Sequence, residues 1–322
     1  MDLSIIIPTY NRQNLISYTL NSLVYEYHTG ISYEVLVIDD GSTDNTLDFI
    51  ARTYPHIIAL KNNGKGAAAA RNTGLRVAKG TFIVYLDSDD LVGKGFFEKK
   101  IKYLNEHSIA DACYGDYDFF EGDKEFKESL IFFKNKYPVY DNLDCLKLHL
   151  IFFLSGKFIP PLAIVWRKTK LLALKGHDEA LIINQDVDLF FRAIFSGFYI
   201  MGIKDGTKVY IRNHSVDMRV GDPRNDRLKW IQLLELRKKI FKELKLKGYI
   251  GTEYLKPLSY YIFSRWKMLR HKEKEIAEDY LLFVKEVYWP VKLRGNVFLK
   301  LLSLIFGPVN TIKFKYLLLK RD

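Results

Sequence analysis

Four short apolar runs, each passing into a helical pattern, constrain this 322-residue chain more than any other feature. Ser4 to Pro8 precedes Leu15 to Val24, and Tyr33 to Ile38 precedes Asp44 to Thr53. Ile57 to Leu60 precedes Lys65 to Ala78, and Phe82 to Leu86 precedes Phe96 to Asn105. The runs are apolar at every position, so both faces of each strand need cover, as in a parallel sheet flanked by helices. Ligands of such α/β sheets bind beyond the carboxyl ends of the strands, where loops converge and helix N-termini offer unpaired N–H groups. Here those ends read Pro8-Thr9-Tyr10-Asn11, Asp39-Asp40-Gly41-Ser42-Thr43-Asp44, Asn62-Asn63-Gly64-Lys65-Gly66 and Asp87-Ser88-Asp89-Asp90. Any one of them reads equally as a turn with a helix cap. Together they set carboxylates at the mouths of two strands, where they repel one another unless a cation or a donor-rich ligand lies between.

Beyond the fourth unit the pattern changes. Ile109 to Tyr140 is aromatic and alternating, with Glu121-Gly122-Asp123-Lys124 as a turn, and predicts an added mixed-sheet layer. Helical segments bracket Leu162 to Trp166. A helix from about Gln185 to Ser196 precedes strands near Tyr199 to Ile203 and Thr207 to Arg212. After about Asp217 long basic helical segments take over: Leu228 to Lys245, Tyr254 to Leu269, Lys274 to Trp289 and Val297 to Phe306. The expected organisation is a mixed, mainly parallel α/β domain over 1–216 and a basic helical region over 217–322.

Charge divides at the same place. Residues 1–216 carry 25 Lys and Arg against 26 Asp and Glu, whereas 217–322 carry 24 against 12. The bland reading of the second region is helices packing on the first domain or on another subunit, with the cations solvated. The sharper one is an interfacial surface, each Lys or Arg near anionic headgroups contributing about 1 kcal/mol, or a surface that attracts a polyanionic acceptor. None of its apolar segments approaches the roughly 20 residues that span a bilayer. No nucleic-acid motif accompanies the charge, so nucleic acid is not an expected partner. The first residues lack a basic stretch followed by a long apolar one and read as a strand, not a secretion signal, which predicts a cytoplasmic location, at the inner membrane face if the basic region binds there. Cys113 and Cys145 lack metal-ligand spacing and read as reduced thiols.

The acidic cluster suggests a metal. Asp87 and Asp89, at alternate positions, can face one cleft, and hard carboxylate oxygens suit Mg2+ or Mn2+ shared with phosphate oxygens. A divalent cation there would neutralise the aspartates and stabilise charge growing on a diphosphate leaving group. A calcium loop fits less well, because no ligand series ending in Glu follows Asp87. No G-x-G-x-x-G follows the first strand, which argues against a dinucleotide oxidoreductase.

Four segments in order, Ser4-Ile5-Ile6-Ile7-Pro8-Thr9-Tyr10-Asn11-Arg12, Val35-Leu36-Val37-Ile38-Asp39-Asp40-Gly41-Ser42-Thr43-Asp44, Ala70-Arg71-Asn72-Thr73-Gly74-Leu75 and Leu86-Asp87-Ser88-Asp89-Asp90, resemble the inverting GT-A glycosyltransferases of family 2. The resemblance covers roughly the first 215 residues. It implies transfer of a sugar from a nucleotide-diphosphate donor to an acceptor hydroxyl with inversion at the anomeric carbon. It further implies a glycan or lipid-linked glycan acceptor in surface or capsular polysaccharide synthesis. Carried over, Pro8, Thr9 and Tyr10 line the nucleotide base pocket and Asp40, with Asp39 near, accepts from a base N–H, which favours uridine. Arg71 faces either the diphosphate or solvent. Asp87 reaches the ribose or the metal, Ser88 belongs to the same donor contact, and Asp89 is the direct metal ligand. Asp90 reads equally as a helix cap.

The resemblance also supplies a base. Removing the acceptor proton contributes roughly 10² to 10⁴ in rate, and the family uses a Glu-Asp pair opening a helix after a Gly-aromatic-Asp-Glu turn. Gly176-His177-Asp178-Glu179 and Gln185-Asp186-Val187-Asp188 stand in those places, making Asp186 the expected base, with His177 a contact of donor or acceptor. Gln185 for Glu and His177 for the aromatic are departures. Tyr210-Ile211-Arg212-Asn213-His214-Ser215 resembles the closing segment in which a histidine approaches metal or diphosphate, so His214 is either a ligand or a surface residue. Two rivals are a sugar nucleotidyltransferase, which would want a Gly-rich basic loop after the first strand, and a non-catalytic glycan-binding scaffold on the same fold.

Overall fold

The computed structural model describes residues 1–24, 30–121, 131–133, 145–213 and 226–288. The chain clusters into two compact units, one from residues 1–149 and 158–222, the other from 150–157 and 223–322.

In the first unit, strands β1 (Leu3–Thr9), β2 (Tyr33–Asp39), β3 (Ile58–Lys61) and β4 (Phe82–Tyr85) alternate with helices α1 (Ile16–Ser22), α2 (Thr46–Thr53) and α3 (Ala67–Val77). There follow β5 (Leu91–Val92), α4 (Phe96–Glu106), β6 (Ala112–Tyr114), β7 (Asp116–Glu121), β8 (Ile131–Phe133) and α5 (Cys145–Leu154), whose residues from Leu150 on cluster with the second unit. The first unit ends with β9 (Ile164–Arg167), α6 (Lys168–Ala173), α7 (Gln185–Phe195), β10 (Ile200–Gly202) and β11 (Lys208–Arg212). Among the described residues the strands form two sheets. The larger has the order β10-β6-β9-β4-β1-β2-β3, and the smaller β5-β11-β7-β8. In the larger sheet β3, β2, β1 and β4 are mutually parallel, β10 is parallel to β6, and β9 runs antiparallel to both of its neighbours. The sheet is therefore mixed and mainly parallel, as the apolar runs imply. The aromatic stretch after Ile109 divides: β6 joins the larger sheet, while β7 pairs parallel with β11 and antiparallel with β8 in the smaller one. Its expected turn at Gly122 to Lys124 lies outside the described residues, as does His214.

Burial explains why the first strand is apolar throughout, since Leu3, Ile5, Ile6 and Ile7 are all inaccessible to solvent. Helix α3 presses unusually close to this layer. A Cβ on Gly74 would stand 2.4 Å from Cγ2 of Ile6, so only glycine permits the approach. With Ala68, Ala69 and Ala70 buried beside it, the helix brings the polar Arg71 and Asn72 to its buried side as well.

The second unit contains α8 (Arg227–Leu246), α9 (Thr252–Leu269) and α10 (Lys274–Val287). Asp226 caps α8 by accepting from the Lys229 N–H at 3.2 Å. Tyr280 donates its hydroxyl to the Trp230 carbonyl at 2.8 Å, joining α10 to α8 inside an apolar core. Among the described residues no helix is long and apolar enough to cross a membrane. The expected helix Val297 to Phe306, and Trp289 at the end of the one before it, lie outside the described residues.

Replacing Gly74 by Ala should destabilise the first unit by about 1–3 kcal/mol through overpacking against Ile6, read as a lower urea midpoint at unchanged slope.

Candidate functional site

The loop after β1 is locked to the loop after β2. Asn11 adopts a left-handed backbone, φ 51°, which asparagine tolerates better than most residues. Its Oδ1 accepts from the Thr43 N–H at 2.8 Å, and its own N–H donates to Ser42 Oγ at 2.9 Å. Asp39, 2% exposed, is consumed in shaping this turn. Its Oδ2 accepts from the N–H groups of Gly41 and Ser42 at 3.2 and 3.0 Å, and the Ser42 hydroxyl donates to its Oδ1. Asp40 instead reaches the start of α3, accepting from the Gly66 N–H at 2.8 Å and from Asn62 Nδ2 at 2.6 Å. Of the three residues expected around a nucleotide base, Pro8 is half-buried, Thr9 is buried with no hydrogen-bond partner for its hydroxyl, and Tyr10 is 52% exposed.

At the end of β4 the carboxylates take separate partners. Asp87 accepts from Arg71 Nη2 at 2.8 Å. Asp89 stands 3.8 Å from Arg12 Nη2, and Ser88 between them is buried. Asp90 accepts the Arg212 backbone N–H at 2.8 Å, which ties this loop to β11; the residue preceding α4 is Gly95, so Asp90 caps no helix. Arg71 is the hub. Its side chain is only 6% exposed, its Nη1 donates to Gln185 Oε1 at 3.1 Å, and the same nitrogen lies 3.8 Å from Asp186 Oδ1. It therefore stands between the acidic loop after β4 and the N-terminus of α7.

Asp186 is delivered by two unusual backbone positions. Gly176, φ 68°, lets the chain pass so close to Asn72 that a Cβ there would meet its Oδ1 at 2.3 Å. Asn184, φ 58°, turns the chain into α7. Asn72 then clamps His177 through its backbone, donating to the carbonyl at 2.9 Å and accepting from the N–H at 2.8 Å. The histidine ring lies edge-on to Tyr85, with ring centroids 4.8 Å apart, and its Nε2–H donates to Asp186 Oδ1 at 3.0 Å. The site residues read from the sequence thus fall in two groups: Asp39, Asp40 and the β1 loop on one side, Arg71, Asp87, Asp186 and His177 on the other.

The placement of His177 differs from the expected ligand contact. Its side chain is fully buried and its Nε2 meets Asp186, which is partly exposed. Sequence reasoning also missed Asn72 as the clamp and Arg12 beside Asp89. Both lie inside the quoted motifs, and the available signal for Asn72 was a polar residue on the buried, alanine-rich side of a helix.

Charge at the site is unbalanced. Burial raises the Asp87 carboxyl above the ordinary range despite Arg71, and neighbouring Asp89 and Asp186 add to the rise. Asp90 is raised well above it by burial and by Asp89 and Asp87. Asp186 goes the other way: burial alone would raise it, but Arg71 and the His177 hydrogen bond outweigh that and hold it at about 2. Among the described residues no group of three His, Cys, Asp or Glu side chains converges to hold a metal ion. The hard-oxygen donors and the raised carboxyls nonetheless fit a divalent cation held by few protein ligands and completed by phosphate oxygens.

The sequence profile described as Glycosyl transferase family 2 matches residues 4–160. A poly(ribitol-phosphate) beta-glucosyltransferase of Bacillus spizizenii is 39% identical over 98 residues, 29% of this chain and 16% of that protein. The Escherichia coli protein WfgD, a UDP-Glc:alpha-D-GlcNAc-diphosphoundecaprenol beta-1,3-glucosyltransferase, is 39% identical over 117 residues, 36% of this chain and 45% of that protein. The matches thus span less than half the length of either relative. Among solved structures, S. aureus TarS residues 1–349 in complex with UDP superposes with a TM-score of 0.63 at 20% identity, covering 97% of this chain and 89% of that one. That likeness bears on the fold alone and agrees with a GT-A architecture. Residues 4–160 thus match glycosyl transferase family 2, and the two partial relatives and the GT-A-like fold agree with that match.

Proposed function

We propose that the protein is an inverting glycosyltransferase that moves a sugar from a nucleotide-diphosphate donor, a UDP-sugar by preference, to a hydroxyl of a bacterial surface glycan. The observation that carries this reading is Arg71 standing between Asp87 and Asp186, which links a donor-side acidic loop to a carboxylate at a helix N-terminus. Inversion needs an acceptor oxygen to attack opposite the departing diphosphate, with a base to take its proton. Asp186 is ionised at any physiological pH and can accept that proton at once. Its basicity is low in the free protein because the Arg71 charge favours the anion. A diphosphate that engages Arg71 would offset that charge and strengthen the base when the donor is in place. Tyr10, exposed at the mouth of β1, offers a face for the nucleotide base.

Asp89, with Asp87 at the ribose or beside it, would hold a Mn2+ or Mg2+ ion, with His214 as the further candidate ligand. When bound, the ion supplies positive charge to the leaving diphosphate. The two relatives are named as β-transferases and one as using UDP-glucose with a lipid diphosphate-linked acceptor, which supports a β-linked product and a donor of this type. The basic helical region suits a polyanionic or membrane-borne acceptor.

Asp186→Asn should keep UDP binding and lose turnover by about a hundredfold or more, as expected for a group used only in the transition state. Asp89→Ala should abolish the manganese-dependent part of UDP affinity, read by calorimetry with and without the metal. Near-normal turnover in Asp186→Asn would remove that residue from the base role. A third expectation follows from the charge balance. A carboxyl whose pKa is raised by folding stabilises the protein below its unfolded value and loses that contribution as pH rises through the folded one. Asp90→Asn keeps the acceptor for the Arg212 N–H, so it should raise the melting temperature at neutral pH, with the gain vanishing towards about pH 4.

A further inference from the structure

We infer that His177 is a positioning residue for the base: its Nε2–H fixes the rotamer of the Asp186 carboxylate so that the other oxygen faces the acceptor. The inference rests on the reading of Asp186 as the base, and it assigns His177 to the acceptor-activating step in place of direct substrate contact.

Three observations carry it. First, the ring is enclosed, its side chain fully buried. Asn72 holds the His177 backbone on both sides, Gly176 leaves no room between them, and Tyr85 packs edge-on against the imidazole. Second, the contact has one sense. Asp186 is ionised and can only accept, so Nε2 carries the proton, while Nδ1 is buried without any partner. A buried nitrogen with nothing to donate to is better left unprotonated, so the ring is the neutral Nε2–H form. Burial, opposed by Asp186, also pushes the imidazolium form down. Third, the hydroxyl of the neighbouring Tyr85 is likewise buried and unpartnered, so it makes no hydrogen bond to the imidazole. An aromatic ring at this position would pack equally well against Tyr85 but could not donate. The histidine thus adds one directed hydrogen bond to a carboxylate whose side chain is 36% exposed and which Arg71 approaches only to 3.8 Å.

The decisive measurement uses the whole protein with 15N-labelled histidine, its seven ring systems assigned through His177→Gln. His177 should give a protonated Nε2 and a bare Nδ1 from about pH 6 to about pH 8, and its Nε2–H signal should move in Asp186→Asn. An Nδ1–H tautomer, or an unmoved signal, overturns the inference without any substrate being needed. Kinetics provide the second arm, with nucleotide release from UDP-glucose and UDP-N-acetylglucosamine in manganese. His177→Phe should lower kcat about tenfold to a hundredfold with KM for the donor little changed, the loss expected for one hydrogen bond to a charged group. His177→Gln, whose amide reaches the Nε2 position, should recover most of it. Equal loss in both variants, or none in His177→Phe, contradicts positioning. Asp186→Asn is run beside them: if it alone retains turnover, the base reading fails, and if it alone loses turnover, the positioning inference does.

Discussion

A guanidinium buried between carboxylates is the constraint on which the candidate site depends. Arg71 cannot reach solvent to shed its charge, and an arginine does not lose its proton, so the surrounding groups must supply acceptors. Asp87 and Gln185 accept its hydrogen bonds and Asp186 lies 3.8 Å away, from two segments that meet only in the folded chain, while its buried Nε has no partner. Removing Asp87 or Gln185 would leave a further N–H of a buried cation unsatisfied, and such gaps are far costlier than the net worth of the contacts themselves. The geometry of the acidic loop and that of α7 are therefore coupled through a single side chain. Substituting Gln185 for a glutamate leaves Arg71 with less negative charge nearby, which leaves more of its charge for an incoming anion.

The sheet explains how these groups come to one place. Strand ends β1, β2 and β4 lie side by side in register, so the turns that follow them open on the same edge. Each turn is then stiffened by its own polar residues: Asp39 within its loop, Asn11 between two loops, Asp40 across to the start of α3. Much of the polar content that a sequence marks as ligand-binding is thus engaged in holding the rim in shape. What remains solvent-accessible is the Tyr10 ring and part of the Asp87 and Asp186 side chains.

The fold was legible in the sequence because its signal is local. All-apolar runs followed by helical patterns specify covered strands within a few residues of one another, and the loops at their ends carry recognisable turn chemistry. The insertion of β9 antiparallel between β4 and β6 was not legible, since the run around Ile164 to Trp166 looks the same whichever way it runs. At the site, composition identified which residue types gather, while the pairings escaped it. Asn72 meets His177, and Arg71 meets Gln185, across more than a hundred residues of sequence. No spacing rule reports that a histidine is sealed behind a carboxylate instead of lining the cleft beside it.

The position of β9 has a consequence for how the chain is made. Strands β1 to β4 come from the first 85 residues and can associate through short crossovers as synthesis proceeds, whereas the partner for the open side of β4 ends at Arg167. Until that segment emerges, Phe82-Ile83-Val84-Tyr85 is a wholly apolar border with unpaired backbone groups, the kind of template on which nascent chains stick to one another. The half-made sheet thus keeps one exposed apolar border until the chain has reached Arg167.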